Sequence, residues 1–237
     1  MKETQQQLSA IKDVVAAGTA AAVRAGKHFD AIAALLAKFF LEAGYPAEDI
    51  RVTTQQRLEL PGYYRPQKQW DVVVVHGDTL VAAFELKALG GPSFGNNYNN
   101  RVEEALGSAV DIRRAALAEL YPGERPWLGY FFIMQDAEGS RTPVRNGDGA
   151  FPVEEIWHGK SYQQRFAIFC QRLIAEGLYD AACYITSSPR DPSPNEIVDS
   201  LDWRHFAAAI NARISYLSDL GLPRQLRVVG QRTIPQP

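Results

Sequence analysis

The chain is poor in the residues that staple a fold or hold a soft metal. Cys170 and Cys183 are its only cysteines, and they form neither a CxxC pair nor any zinc spacing. Two buried free thiols in a reducing cytoplasm are the expectation. The four histidines, His28, His76, His158 and His205, also lack zinc or HNH spacing, so a histidine-built metal site is not expected. No apolar run approaches the ~18 residues that a spanning helix needs. The opening stretch MKETQQQLSA has no secretory apolar region. Neither a membrane nor an export route is therefore expected. Net charge is only -2 with a pI near 6.1, which argues against binding nucleic acid by bulk charge and leaves room for local basic patches. There is no internal repeat and no low-complexity tract.

What remains is ordinary globular material, 46% hydrophobic and 22% charged. It reads as a single domain over 1–237, with a helical N-terminal region over 1–45 and a core over about 46–186. Helical spacing is found at Leu8 to Gly26, His28 to Ala43, Asn100 to Leu120, Ser161 to Glu176 and Asp202 to Leu220. The last of these is capped by Asp202 or Ser200. Strands are expected at Ile50 to Leu60, Asp71 to His76, Leu80 to Lys87, Trp127 to Met134 and Ala181 to Thr186. Residues 136–149 and the segment SSPRDPSPN read as loops. The order gives an α/β fold, a mixed central sheet with helices on both faces.

The hairpin DVVVVHGDTLVAAFELK carries the chemistry. Glu85 and Lys87 are two apart on a strand, so both side chains leave one face. A three-residue turn, Gly77-Asp78-Thr79, sets Asp71 opposite Glu85. A two-residue turn, Gly77-Asp78, would set it opposite Phe84, on the wrong face. Under the first register two carboxylates and one amine converge. Like charges so close need a cation between them, and hard oxygen ligands suit Mg²⁺.

Asp71, thirteen residues, then Glu85-Leu86-Lys87 resembles the motif of the PD-(D/E)xK nuclease superfamily, with Trp70 standing where that name has proline. The longer stretch ELKALGGPSFGNNYNNRVEEALGSAVD is more specific. With PWLGYFF and SYQQRF it resembles the XhoI family of type II restriction endonucleases, strongly from about Trp70 to Tyr184. The resemblance implies a restriction-endonuclease-like core and a homodimer that cuts both strands of a short palindrome in double-stranded DNA, for this family CTCGAG, using Mg²⁺. A DNA methyltransferase acting on the same site would be a functional, not a physical, partner. By position, Asp71 and Glu85 become metal ligands with the Leu86 carbonyl, and Lys87 orients or deprotonates the attacking water.

Asparagine pairs with adenine edges and arginine with guanine. FGNNYNNR therefore reads as a loop beside the catalytic strand. Asn96, Asn97, Tyr98, Asn99 and Arg101 are its candidate DNA contacts, and Asn99 or Asn100 is the candidate cap of the next helix. PGYYRPQKQW offers Arg65 and Lys68 as phosphate contacts. Glu42 and Glu104 are candidate extra acids. Two other readings compete. GPSFG matches the elbow of serine hydrolases, with Ser93 as nucleophile and His158 or His205 as partner. It is disfavoured because Ala88 to Gly91 separates strand from serine and the next helix is expected only near Asn100. A non-cleaving DNA-binding protein of the same fold is disfavoured by the intact Asp71, Glu85 and Lys87.

Overall fold

Val72 to His76 and Thr79 to Leu89 are almost continuously apolar because they are covered on both faces and flanked by other strands. The computed structural model describes residues 27–52, 56–188 and 195–223. The strands are β1 (Ile50–Arg51), β2 (Glu59–Pro61), β3 (Gln67–Gln69), β4 (Val72–His76), β5 (Thr79–Leu89), β6 (Leu128–Gln135), β7 (Ala181–Ser187) and β8 (Asn195–Glu196). Helices are α1 (Lys27–Glu42), α2 (Phe94–Leu117), the single turn α3 (Glu138–Arg141), α4 (Tyr162–Ala175) and α5 (Trp203–Asp219). Six strands form one mixed sheet in the order β1-β4-β5-β6-β7-β8, and β2 and β3 form a separate ribbon. Pairing of β5 with β6 and of β6 with β7 is parallel; the β4–β5 pairing is antiparallel.

The sheet is sandwiched as expected. On one face Phe40 of α1 and Trp203 and Phe206 of α5 pack against Phe84 and Phe131. On the other, α2 and α4 bring Ala105, Ala109 and Phe166 onto Tyr130 and Phe132, with the Phe166 ring stacked 3.6 Å from that of Phe132. Period-two alternation along β6 thus sends successive aromatics to opposite cores. Ser161 caps α4 through a reciprocal box with Gln164, and Asp202 caps α5 by accepting from His205 N at 2.7 Å. Both cysteines are free and buried. No helix among the described residues is long and apolar enough to cross a membrane.

Three expectations change. Ile50 to Leu60 is not one strand: β1 stops at Arg51, and Glu59–Pro61 belongs to the ribbon. Its partner Gln67–Gln69 is polar and has no apolar alternation to mark it. The 136–149 stretch contains α3, anchored by the buried Ser140, whose hydroxyl donates to Gln135 O at 2.8 Å. The asparagine segment is helix rather than loop, since α2 begins at Phe94. The helix expected over Leu8 to Gly26 and most of SSPRDPSPN lie outside the described residues.

Candidate active site

The β4–β5 hairpin reaches the expected register by an unexpected route. Its turn is the two-residue one, with His76 paired to Thr79. Between Val75↔Leu80 and Val74↔Ala82 the register shifts by one, leaving Val81 as an extra residue on β5. The bulge restores Val72↔Phe84, so Asp71 ends the ladder on the face of Val73, beside Glu85. Asp71 Oδ2 accepts from Leu86 N at 2.7 Å. N–H and C=O of one strand residue point to the same edge. The Leu86 carbonyl therefore faces the Asp71 edge too, past the start of β4.

Four charged side chains meet there. Lys87 Nζ lies 2.5 Å from Glu85 Oε1 and 3.4 Å from Asp71 Oδ2. Lys68 Nζ, carried in by the ribbon, bonds the other Glu85 oxygen, Oε2. The Glu85 side chain is only 4% exposed whereas that of Asp71 is 37% exposed, so the site opens outward past Asp71. Burial, reinforced by the Glu85 charge, raises the Asp71 carboxyl above its ordinary value despite Lys87 and the Leu86 N–H. Burial lowers Lys68, only partly countered by Glu85. Burial also pulls Lys87 down, but the charges of Glu85 and Asp71 outweigh it and hold this ammonium above its ordinary value.

A cleft of about 430 Å³ opens over this cluster, lined by Lys68, Glu85, Lys87, Arg101, Glu104 and Ser108 among others. The α2 side of it is one helical stripe. Asn97, Arg101, Glu104, Ser108 and Asp111 recur at intervals of four and three, so they share a face. The Tyr98, Val102, Ala105, Ala109 and Ile112 stripe is turned into the core. Arg101 donates to Glu104 through one terminal nitrogen, while its buried Nε has no hydrogen-bond partner.

At the far end of that stripe the buried Asp111 ties down the ribbon. Its Oδ1 accepts the N–H groups of Tyr63 and Tyr64, both at 2.8 Å, and its Oδ2 accepts from Arg65 Nε at 2.6 Å. A Cβ on Gly62 would lie 2.3 Å from Asp111 Oδ2, so only glycine lets the turn come this close. These bonds hold the Asp111 carboxyl below its ordinary value although burial pushes it up.

Lys68, Glu85, Lys87 and Arg101 thus line one cleft, with Asp71 and the Leu86 main chain beside them, while several other candidates lie elsewhere or are engaged. Glu42 ends α1 on the opposite face of the sheet, paired with Lys38. Glu104 lines the cleft, but its carboxylate is taken by Arg101. Among the described residues no three acidic, histidine or cysteine side chains gather in a metal-holding group. Arg65 also lines the cleft, but its Nε is committed to Asp111. Tyr98 is partly buried against the core. Its ring packs 5.9 Å from both Tyr162 and Phe166, and burial pushes its hydroxyl up to about 12. Asn97 belongs to the cleft stripe and Asn96 flanks it, whereas Asn99 sits on the outer flank with Leu106, Val110 and Leu117. Neither Asn99 nor Asn100 caps α2, because the N-cap position is Ser93.

Ser93 is no nucleophile elbow, though for only one of the two expected reasons. The helix does follow it directly, but β5 ends at Leu89, with three residues before the serine. His158 and His205 are engaged elsewhere, with Val153 O and Asp202 respectively. The sequence alone does not bring Lys68 to Glu85. Its lysine-aromatic setting, with Nζ 4.4 Å over the Trp70 ring, was the one sequence signal available.

A family model described as restriction endonuclease XhoI matches residues 7–198. The chain belongs to the XhoI restriction endonuclease family. It is 40% identical over 164 residues to the type II restriction enzyme XhoI of Xanthomonas vasicola, covering 68% of this chain and 65% of that one. Over 176 residues it is 39% identical to the type II restriction enzyme BstVI of Geobacillus stearothermophilus, covering 72% and 78% respectively. AbrI of Azospirillum brasilense is 41% identical over 120 residues, 48% of this chain and 51% of its own. The match therefore spans less than two thirds of the first and third relatives. No solved structure matches the chain. The XhoI-family span includes the hairpin, the ribbon and the whole α2 stripe.

Proposed function

We propose that this XhoI-family chain is a type II restriction endonuclease of the PD-(D/E)xK fold, hydrolysing phosphodiester bonds of double-stranded DNA at CTCGAG with Mg²⁺, as a homodimer. The convergence of Asp71, Glu85 and Lys87 at the open end of the β4–β5 hairpin carries this reading. The donor set fits a hard cation: two carboxylates, one main-chain carbonyl, and a position already attractive enough to hold two ammonium groups. Asp71, Glu85 and the Leu86 carbonyl would hold it. When bound, a divalent ion supplies charge neutralisation at the phosphate and makes hydroxide available at neutral pH.

The chain's own groups account for the rest. Lys87, held charged between Glu85 and Asp71, faces the place where water meets the phosphorus. There it orients that water and neutralises charge as the phosphoryl oxygens become more negative. Arg101, its side chain 29% exposed on the opposite wall, offers its guanidinium as a donor to the DNA. Asn97 continues that wall toward the start of α2, placing an amide where a purine edge can be read. A two-fold dimer gives each strand of a palindrome its own site.

Digestion of a plasmid carrying one CTCGAG, followed by sequencing of the ends, tests this. Linear product only with Mg²⁺ and none with EDTA supports it. Metal-independent cutting contradicts the metal assignment, and cutting elsewhere contradicts the target.

A further inference from the structure

Glu85 is gripped from two sides. Lys87 follows it by two positions on the same strand, so their meeting is local. Lys68 comes from the β2–β3 ribbon, seventeen positions earlier. Its side chain is only 17% exposed. Among the described residues its other partners are Gln69 O, at 3.0 Å, and the Trp70 ring beneath it. The ribbon itself is fixed elsewhere, at Asp111, so it does not depend on this contact. Lys68 is therefore free to exchange partners without the ribbon letting go.

The charges show what such an exchange achieves. Asp71, Glu85, Lys68 and Lys87 sum to zero. A divalent cation raises the sum to two positive charges. A phosphodiester carries one negative charge, and the five-coordinate arrangement formed on attack carries two. With Lys68 counted, the site matches the transition state rather than the ground state, which is the condition for accelerating the step.

We infer that Lys68 is a second active-site lysine. It holds Glu85 Oε2 in the resting site, while Lys87 lies between Glu85 Oε1 and Asp71, and it moves to a non-bridging oxygen of the scissile phosphate once a divalent ion takes up that carboxylate. This rests on the nuclease reading. Lys68 keeps its proton throughout and makes or breaks no covalent bond; its contribution is charge and position.

The test uses the full-length protein and Mn²⁺ alone as the first probe, measured by calorimetry without DNA. Lys68→Met keeps the apolar stem on Trp70 and removes the competing ammonium. Its Mn²⁺ affinity should rise by at least about tenfold, because removing one unit charge a few ångströms from a divalent ion exceeds that effect even at the dielectric of water. Single-turnover cleavage should fall about a hundredfold, as for loss of one oxyanion-stabilising donor. DNA affinity in Ca²⁺ should change less than about threefold, because the lost interaction belongs to the transition state. Lys68→Arg, which keeps the charge, should hold Mn²⁺ affinity near wild type and recover part of the rate. A merely structural bridge would lower the melting temperature and leave Mn²⁺ affinity unchanged or weaker, and that result overturns the inference. If Lys68→Met does not fold, the wild type still decides. The Lys68 ¹³Cε resonance should move as Mg²⁺ is added, and a resonance that stays in place overturns the inference. A wild type that binds Mn²⁺ and cuts while Lys68→Met matches it removes this inference alone. A wild type that neither binds nor cuts removes the nuclease reading with it.

Discussion

Arg65 Nε donates to Asp111 Oδ2 at 2.6 Å, joining the tip of the β2–β3 ribbon to the cleft-side stripe of α2. Asp111 also accepts the Tyr63 and Tyr64 N–H groups, so one buried carboxylate fixes the ribbon that delivers Lys68. Asp111→Ala strands two main-chain donors and should cost about 2–3 kcal/mol in denaturant unfolding. Tyr63 and Tyr64 should become the fastest-exchanging amides of the ribbon.

The same carboxyl sets an acid limit. Its folded-state value is depressed, so its stabilisation is complete above the unfolded value of about 3.9 and lost as pH falls through the lower folded value. Protection of the Tyr63 and Tyr64 amides should therefore persist at pH 5 and disappear only below about pH 4. Asp111→Asn should abolish that pH dependence.

The two flanks of α2 should separate recognition from bystander residues. Asn97→Ala or Arg101→Ala should weaken cognate binding more than non-specific binding, by about 1–3 kcal/mol for a lost bidentate base contact. Asn99→Ala, on the outer flank, should leave the ratio unchanged. Both affinities need one fixed salt concentration, since salt shifts the phosphate contribution.

Tyr98→Ala should behave as a core mutation. The ring packs on Tyr162 and Phe166, so its loss should lower stability by about 2–4 kcal/mol while leaving the cognate-to-non-specific ratio intact. A changed ratio without a stability loss would return Tyr98 to the DNA surface.

Assembly is checked by sedimentation at micromolar concentration on a cognate duplex. A species containing two copies of the 26.3 kDa chain is expected. A single copy bound to the duplex while cutting both strands would exclude the dimer.

The hairpin and the convergence of Asp71, Glu85 and Lys87 were legible because period-two alternation fixes which side chains share a face. The turn was not. An unbulged two-residue Gly77-Asp78 turn would misplace Asp71, yet the chain uses that turn and corrects the register at Val81. Such a bulge leaves no mark in a run of valine and alanine. FGNNYNNR reads as a loop from propensity, since asparagine and glycine favour turns. Tertiary contact overrides that: Phe94 and Tyr98 pack on Tyr162, and a Cβ at Gly95 would lie 2.7 Å from the Tyr162 hydroxyl, so the glycine serves close packing. Lys68 was visible as a basic residue near aromatics. Its bond to Glu85 depends on how the ribbon folds back, which no local pattern encodes.

The central claim is that Glu85 holds the cation required for cutting. Single-turnover cleavage of a CTCGAG duplex by Glu85→Ala, in saturating Mg²⁺ and at matched DNA occupancy, tests it most directly. The rate should fall by at least about a thousandfold, on the order of several kcal/mol of lost transition-state stabilisation, while the duplex stays bound. Cutting at the wild-type rate would contradict the account.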